Sequence, residues 1–323
     1  LSGEHESLPR CEALALVEAF STGFSEIEFL EQCLIVEAEG LDVEVLGRRL
    51  AMTHRIIEVL AVCPADLEAL AQAASCLQLP PKKYLIRARR IRDAAPPADA
   101  VEHEVGRILF RRGYRADLSH PELLLRAIIT SGKIVLGIEV ARTDRSSFEA
   151  RRPHLKPFFH PGVLMPRMAR ALVNLTQVRA GEVLLDPFAG TCGILIEACL
   201  IGVNGVGIEV QPRLVNGALC NLQDLDCSLL LGDAKRLPLK ESSIDAAVLD
   251  TPYGRSAKIM AASKELLLKE SLEELFRVIR PGRRMAIVAD SSIEEMIEEV
   301  GFVLLQKHTD RVHRSLTRQI FIC

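Results

Sequence analysis

The sequence predicts an α/β protein whose carboxyl-terminal half forms a seven-stranded, mostly parallel sheet with helices on both faces. From residue 166 onward, short apolar strands alternate with helices, the order that a parallel sheet requires because each crossover must pass over a face of the sheet. Polar residues follow several of these strands directly. In such a sheet, ligands bind beyond the carboxyl ends of the strands, where the strand order reverses.

Two smaller segments precede this half of the chain. Residues 1–63 show the pattern helix, strand, strand, helix, strand, and a further strand at or before Leu1 would complete a ferredoxin-like βαββαβ domain. Residues 64–150 form a second predicted domain, and the proline-rich residues 151–165 a linker. Residues 166–323 form the predicted carboxyl-terminal domain.

Composition excludes several classes of protein. Of the 323 residues, 49% are hydrophobic and 26% charged, so the chain is neither disordered nor fibrous. No apolar run approaches the roughly 20 residues of a membrane span, and no signal-peptide pattern is present. The nine cysteines include no C-x-x-C pair, so we expect reduced thiols, no metal site and a cytoplasmic location.

Positive charge is concentrated in the middle of the chain. Residues 81–160 carry a net charge of +8, whereas residues 1–80 carry −10. Phosphate binding is the natural use of such a region, although a solvated charged face remains the alternative. Few aromatic residues are interleaved, which favours a folded RNA over a stacked single strand. The candidate RNA contacts are Lys82, Lys83, Arg87, Arg89, Arg90, Arg111 and Arg112.

The ends of the first three strands of the predicted sheet suit a nucleoside ligand. Strand one runs through Asp186 into a glycine-containing loop before a helix, whose start favours an anionic group. Glu209 ends strand two and can accept both hydroxyls of a ribose; Asp233 ends strand three and can accept an adenine amine. The candidate cofactor residues are Asp186, Pro187, Ala189, Gly190, Thr191, Gly193, Glu209, Asp233 and Ala234.

A dinucleotide site would use the same first two features, but it wants G-x-G-x-x-G. The loop offers only Gly190 and Gly193, and that interpretation leaves the end of strand four without a role.

Strand four ends in the most informative tetrapeptide, which supplies the candidate catalytic residues Asp250, Thr251, Pro252 and Tyr253. The exocyclic amine of a nucleobase is a poor nucleophile because its lone pair is delocalised into the ring. A carboxylate and a nearby peptide carbonyl could hold both amine hydrogens and turn the nitrogen toward tetrahedral geometry. Pro252 stiffens the turn, and Tyr253 offers a face for base stacking.

These motifs resemble the archaeal tRNA guanine-10 N2-methyltransferase family. The matching stretches are residues 2–5, 151–153, 157–162, 166–175, 186–193 and 250–255. The resemblance implies a ferredoxin-like domain, an RNA-binding THUMP domain and a Rossmann-like class I methyltransferase domain, with S-adenosylmethionine as cofactor and tRNA as substrate. It also implies that residues 160–166 fold over the methionine end of the cofactor. Some family members work with a small zinc-binding activator protein, which adds a strand to the catalytic sheet.

The sequence departs from the family pattern at Thr251, Cys192 and Glu209, where proline, glycine and aspartate are usual. None of these changes removes a chemical role. Three alternatives stay open: another RNA guanine, such as one in ribosomal RNA, a DNA adenine, or a catalytically idle RNA-binding subunit. Whether one or two methyl groups are added also stays open.

Overall fold

The computed structural model describes residues 1–252, 261–313 and 316–323. They form two compact units. The first unit comprises residues 1–4, 20–47 and 53–143, and the second comprises residues 5–19, 48–52 and 144–323. Within the described ranges, no helix combines the length and apolar character that a membrane span needs.

The secondary structure elements are numbered in chain order. The α-helices are α1 (Leu8–Phe20), α2 (Val43–Arg49), α3 (Leu67–Cys76), α4 (Ala98–Arg111), α5 (Arg145–Ala150), α6 (Pro166–Leu175), α7 (Gly193–Cys199), α8 (Pro212–Asn221), α9 (Ala261–Val278) and α10 (Glu294–Val300). The strands are β1 (Gly23–Leu30), β2 (Cys33–Glu39), β3 (Arg55–Pro64), β4 (Tyr84–Arg90), β5 (Leu123–Thr130), β6 (Lys133–Arg142), β7 (Val183–Asp186), β8 (Asn204–Glu209), β9 (Cys227–Leu231), β10 (Ala246–Asp250), β11 (Met285–Ala289), β12 (Gln306–His313) and β13 (Leu316–Ile322).

The first unit contains a four-stranded sheet in the order β3-β6-β5-β4. Strands β4 and β5 are parallel, and the other neighbours are antiparallel. Helices α3 and α4 share a hydrophobic core with this sheet, to which Leu70, Val105 and Leu125 contribute. The β1–β2 hairpin packs through Leu30 and Ile35 in a separate small cluster.

The structure corrects the predicted ferredoxin-like arrangement of residues 1–63. Strands β1 and β2 pair with each other in a two-stranded sheet, whereas β3 pairs with β6. Helix α1 belongs largely to the second unit. Short strands look alike in sequence, and their pairing depends on partners far along the chain.

A buried carboxylate explains why α1 belongs to the second unit. Glu12 is fully buried, and its oxygens accept hydrogen bonds from the amides of Ala51 and Met52 at 2.9 and 2.8 Å. The side-chain amide of Asn174, on α6, donates to the same carboxylate at 2.7 Å. Because an unpaired buried carboxylate is costly, these bonds hold α1, residues 48–52 and α6 together.

The described strands of the second unit form the predicted sheet, in the order β12-β13-β11-β10-β7-β8-β9. Strands β7 to β11 run parallel, and β13 and β12 are added antiparallel. The seven-stranded, mostly parallel sheet is therefore confirmed. The chain passes from β7 outward to β8 and β9, and then returns to β10 on the other side of β7. The strand order thus reverses between β7 and β10, where an open α/β sheet binds its ligands.

One pair of cysteines differs from the expectation of reduced thiols. Cys199, at the end of α7, and Cys227, at the start of β9, form a disulfide with a Cα–Cα distance of 6.8 Å. Gly205 on β8 leaves room for this bond, since an added Cβ would lie 3.0 and 3.1 Å from the two sulfur atoms. The pairing depends on how α7 packs across the sheet, which cysteine spacing does not reveal.

Candidate active site

One cavity of about 320 Å³ lies at the carboxyl ends of β7, β8 and β10. Every predicted catalytic and cofactor residue lines it except Tyr253, which lies outside the described residues. The predicted residues that line the cavity are Asp186, Pro187, Ala189, Gly190, Thr191, Gly193, Glu209, Asp233, Ala234, Asp250, Thr251 and Pro252. The topology brings these residues together because the ends of parallel strands share one edge of the sheet.

The loop after β7 is shaped by two residues in the left-handed region. Gly190 has φ +51° and Cys192 has φ +63°. A left-handed conformation costs a residue with a Cβ roughly 1–2 kcal/mol, which gives a physical reason for glycine being usual at the position of Cys192. The amide of Cys192 donates to the carbonyl of Ala189 at 2.6 Å, and α7 begins at the next residue.

The carboxylate of Glu209 is fixed by two backbone hydrogen bonds. Its Oε2 accepts from the amide of Gly190 at 3.0 Å, and its Oε1 accepts from the amide of Gln211 at 2.9 Å. Glu209 therefore connects the loop after β7 to the loop after β8. Each carboxylate oxygen has a second lone pair, which a ligand hydroxyl can use.

Asp250 and Thr251 end the central strand β10. Asp250 pairs with Val288 of β11, and the amide of Thr251 donates to the carbonyl of Val288 at 2.9 Å. Both residues are thus held by the sheet while they line the cavity. The Thr251 hydroxyl is buried and has no hydrogen-bond partner in the described part of the chain. It is a buried polar atom of this site that residues 1–252, 261–313 and 316–323 leave unsatisfied.

Negative charge dominates the cavity. Its lining contains the carboxylates Asp186, Glu209, Asp233 and Asp250, and no Lys or Arg among the described residues. Burial raises the pKa of Asp186 well above its ordinary value, and the negative charges of Asp250 and Glu209 raise it further. The cavity is therefore suited to a ligand that carries positive charge.

Comparison with known proteins identifies the family. Residues 153–320 match the family model described as UPF0020, an RMKL-like methyltransferase domain. The chain is 34% identical over 327 residues to the protein of Methanothermobacter thermautotrophicus named tRNA (guanine(10)-N2)-dimethyltransferase, covering 99% of this chain and 96% of that protein. The protein of the same name from Methanocaldococcus jannaschii is 29% identical, covering 100% of this chain and 97% of that protein. The chain therefore belongs to the family of these archaeal tRNA (guanine(10)-N2)-dimethyltransferases.

A solved structure has a similar fold. The crystal structure of TrmN from Thermus thermophilus has a TM-score of 0.53 to this chain and 22% sequence identity, covering 99% of this chain and 97% of that chain. At this identity the similarity concerns the fold alone. The resemblance inferred from the sequence motifs is confirmed by the family model and by the two archaeal relatives.

Sequence reasoning missed the contacts that fix the segment before α6. We call residues 156–164 the strap; its residues His160, Pro161, Gly162, Val163 and Leu164 line the cavity. The side chain of Asn221 on α8 accepts from the amide of Phe158 at 3.0 Å and donates to the Phe158 carbonyl at 2.9 Å and to the Thr191 carbonyl at 3.2 Å. Asn221 therefore joins the strap to the loop after β7.

A glycine on the same helix makes room for the strap. A Cβ at Gly217 would lie 2.4 Å from the ring of Phe158, so only glycine lets the ring pack there. The signal in the sequence was the Phe158-containing motif of the family, but nothing in the sequence connected it to Gly217 or Asn221.

The seven predicted RNA-contact residues all lie in the first unit and are exposed. We call them together the basic surface. Some are engaged within the protein: Lys83 pairs with Asp117 at 3.1 Å, and Arg87 pairs with Glu102 at 3.5 Å. Within the described chain, no salt bridge is made by Lys82, Arg89 or Arg111.

Two arginines of the basic surface also donate to backbone carbonyls. Arg112 donates to the carbonyls of Ala74 and Leu77 at the end of α3, at 3.2 and 2.5 Å. Arg90 donates to the carbonyl of Ala94 at 2.7 Å. These arginines therefore have a structural use in addition to any contact with a phosphate.

Proposed function

We propose that this protein transfers a methyl group from S-adenosylmethionine to the exocyclic N2 amine of guanine 10 in tRNA. One observation carries the proposal: the Asp250–Pro252 turn lines the same cavity as Asp186, the Gly190 loop and Glu209. A carboxylate and a peptide oxygen that can hold an amine thus lie beside a cavity suited to a nucleoside. The names of the two archaeal relatives support guanine 10 as the target.

The lining residues fit S-adenosylmethionine. When bound, this cofactor supplies an activated methyl group on a positively charged sulfonium, and the four carboxylates of the cavity complement that charge. Asp186 and the Gly190 loop bind the methionine part. Glu209 accepts the ribose hydroxyls with the lone pairs that its backbone contacts leave free. Asp233 and Ala234 bind the adenine.

Asp250 and Thr251 activate the target amine. The carboxylate of Asp250 accepts one N2 hydrogen and the carbonyl of Thr251 the other, which frees the nitrogen lone pair for the methyl carbon. Pro252 restricts the turn and Tyr253 stacks on the base. The guanine is flipped from its stack to reach this position. Most of the acceleration comes from positioning and from stabilising the charge that develops on the amine.

Residues 64–150 form the RNA-binding domain in this proposal, and residues 166–323 the catalytic domain. The exposed cations of the basic surface bind tRNA phosphates, with Lys82, Arg89 and Arg111 the most available because they form no salt bridge in the described chain. A tRNA substrate also supports a cytoplasmic location.

Methyl transfer to unmodified tRNA tests the proposal. The protein is incubated with labelled S-adenosylmethionine and a tRNA transcript, and nucleosides are identified by mass analysis over time. We expect N2-methylguanine and then N2,N2-dimethylguanine, and no incorporation when guanine 10 is replaced by adenine. Incorporation into ribosomal RNA alone or into adenine would contradict the proposal. Bound tRNA without any methyl transfer would instead favour an idle RNA-binding subunit.

Strand β9 offers a place for an activator protein. In the described sheet β9 is an edge strand, paired with β8 alone, and Leu230 and Leu231 are 41% and 58% exposed. We propose that a small zinc-binding activator adds a strand along this edge, since exposed edge strands accept a further strand. Full S-adenosylhomocysteine binding and full methyl transfer by the isolated chain would contradict an obligate partner.

A further inference from the structure

A lysine outside the cavity lining lies against its wall. Lys156 begins the strap, and its Nζ is 3.9 Å from the position that a Cβ on Gly193 would occupy. Gly193 lines the cavity, although Lys156 itself does not.

Among the described residues, the ammonium of Lys156 has no partner. It makes no hydrogen bond or salt bridge with any described residue, although the residue is half-buried. Burial lowers the pKa of Lys156. Removing an ammonium from water without giving it a partner raises the free energy of the folded protein. A bound anion would offset that cost.

Glu197 is the buried carboxylate that acts electrostatically on Lys156, and it is already paired. Glu197, which is 1% exposed, accepts from Arg151 at 2.8 and 3.1 Å and pairs with Arg170 at 2.9 Å. Both guanidinium groups also lie over the ring of Phe148, at 4.8 and 5.6 Å from its centroid. Two cations therefore neutralise Glu197, and Lys156 adds a further positive charge next to Gly193.

The strap holds Lys156 in place. Two residues further on, Asn221 binds both the amide and the carbonyl of Phe158. The same Asn221 side chain binds the loop after β7. Asn221 thus joins the backbone two residues after Lys156 to the backbone two residues before Gly193.

We propose that Lys156 is the counter-charge for the α-carboxylate of the methyl donor. This inference rests on the proposed use of S-adenosylmethionine. The donor carries two positive groups, the sulfonium and the α-ammonium, which suit a cavity lined by four carboxylates and by no Lys or Arg among the described residues. Its α-carboxylate is the one group that this lining repels. Lys156 places a cation beside the Gly193 wall, where the methionine part is proposed to bind.

Equilibrium binding to ligands with and without the amino-acid group tests this role. The probes are S-adenosylhomocysteine, its decarboxylated analogue, which keeps the ammonium, and 5′-methylthioadenosine, which lacks the whole amino-acid group. We expect Lys156→Met to weaken S-adenosylhomocysteine binding about tenfold or more, as for loss of a hydrogen bond to a charged group. Binding of the other two probes should change less than about twofold, the resolution of such a titration.

Two further variants complete the test. Lys156→Arg keeps the charge and should retain most of the preference for the carboxylate. Lys269→Met removes a partly exposed lysine of the same unit, paired with Glu299 at 3.1 Å, and should leave the affinity for all three probes unchanged. If Lys156→Met does not fold, Lys156→Gln gives the same comparison.

The outcomes separate this inference from the proposed function. Equal loss of affinity for all three probes, or no loss for any, would overturn the role of Lys156 while leaving the cofactor site standing. Failure of the unaltered protein to bind S-adenosylhomocysteine would overturn the proposed function itself.

Discussion

The cavity of the second unit and the basic surface of the first use charge in different ways. In the cavity, each informative carboxylate ends or follows a strand, and Glu209 is fixed further by two backbone amides. On the basic surface, the cations are exposed, and their partners range from carboxylates to helix-end carbonyls. In the cavity, the topology of the sheet decides where the carboxylates lie. On the basic surface, contacts within the protein decide which cations remain available to a ligand. The two regions should therefore respond differently to substitution.

The largest expected effect is at Asp250. Asp250→Asn keeps one acceptor but loses the negative charge that faces the amine, so we expect single-turnover methyl transfer to fall by about 10²–10⁴-fold. S-adenosylhomocysteine affinity should stay nearly unchanged, because Asp250 is assigned to the base and not to the donor. Asp226→Asn, an exposed acid of the same unit, is the matched control. A rate close to that of the control would remove Asp250 from the chemistry.

Glu209→Gln should weaken donor binding. The substitution removes the charge that accepts the Gly190 and Gln211 amides and is proposed to bind the ribose. We expect S-adenosylhomocysteine affinity to fall about tenfold or more, measured by calorimetry. Glu241→Gln, at an exposed position, serves as the control. Unchanged affinity for both variants would mean that Glu209 only shapes the loops.

Much of the cavity could be predicted from the sequence because strand ends in a parallel sheet share an edge. Asp186, Glu209, Asp233 and Asp250 are far apart in the chain, yet the alternation of strands and helices was enough to bring them together. The exact strand limits are less predictable from the sequence: the apolar run at residues 302–305 is typical of a strand, yet β12 begins only at Gln306. Apolar residues 302–305 instead precede the strand, and Phe302 packs edge-on against Phe276 at 5.2 Å.

Other features depend on contacts that have no local signature. The roles of Asn221 and Gly217 come from the position of the strap over α8. The pairing of β3 with β6, and the burial of Glu12 in the second unit, depend on partners far along the chain. An isolated glutamate on a short amphipathic helix gives no indication that it will accept three buried hydrogen bonds.

The basic surface can be divided by substitution into its free and its engaged members. Replacing Lys82, Arg89 and Arg111 together by Gln removes cations without breaking any salt bridge seen in the described part of the chain, so tRNA affinity should fall about tenfold. The slope of log affinity against log salt concentration should become less steep by about two to three, as expected for the loss of three phosphate contacts.

The matched triple variant replaces Lys83, Arg87 and Arg112 by Gln. It should lower the midpoint of thermal unfolding as well, because Arg112 also binds the carbonyls at the end of α3. The comparison is made by filter binding at several salt concentrations and by thermal melting. If the variant that replaces Lys82, Arg89 and Arg111 has the same salt slope as the unaltered protein, those three cations do not bind RNA.

The smallest effects compare one glycine near the cavity with one in the first unit. Gly217→Ala would place a Cβ 2.4 Å from the Phe158 ring. We expect the free energy of unfolding to fall by about 1–3 kcal/mol, as for overpacking elsewhere. S-adenosylhomocysteine binding should weaken a few-fold, because the strap is displaced.

Gly106→Ala on α4 is the matched substitution, since a Cβ there has no other atom within 4 Å. It should raise the free energy of unfolding by up to about 1 kcal/mol, because alanine is the better helix former. Donor binding should not change. Chemical denaturation and calorimetry on both variants decide the question. If Gly217→Ala lowers stability and leaves donor affinity intact, the strap packs against α8 without controlling the cavity, and the link from Asn221 through Phe158 to the donor site is broken.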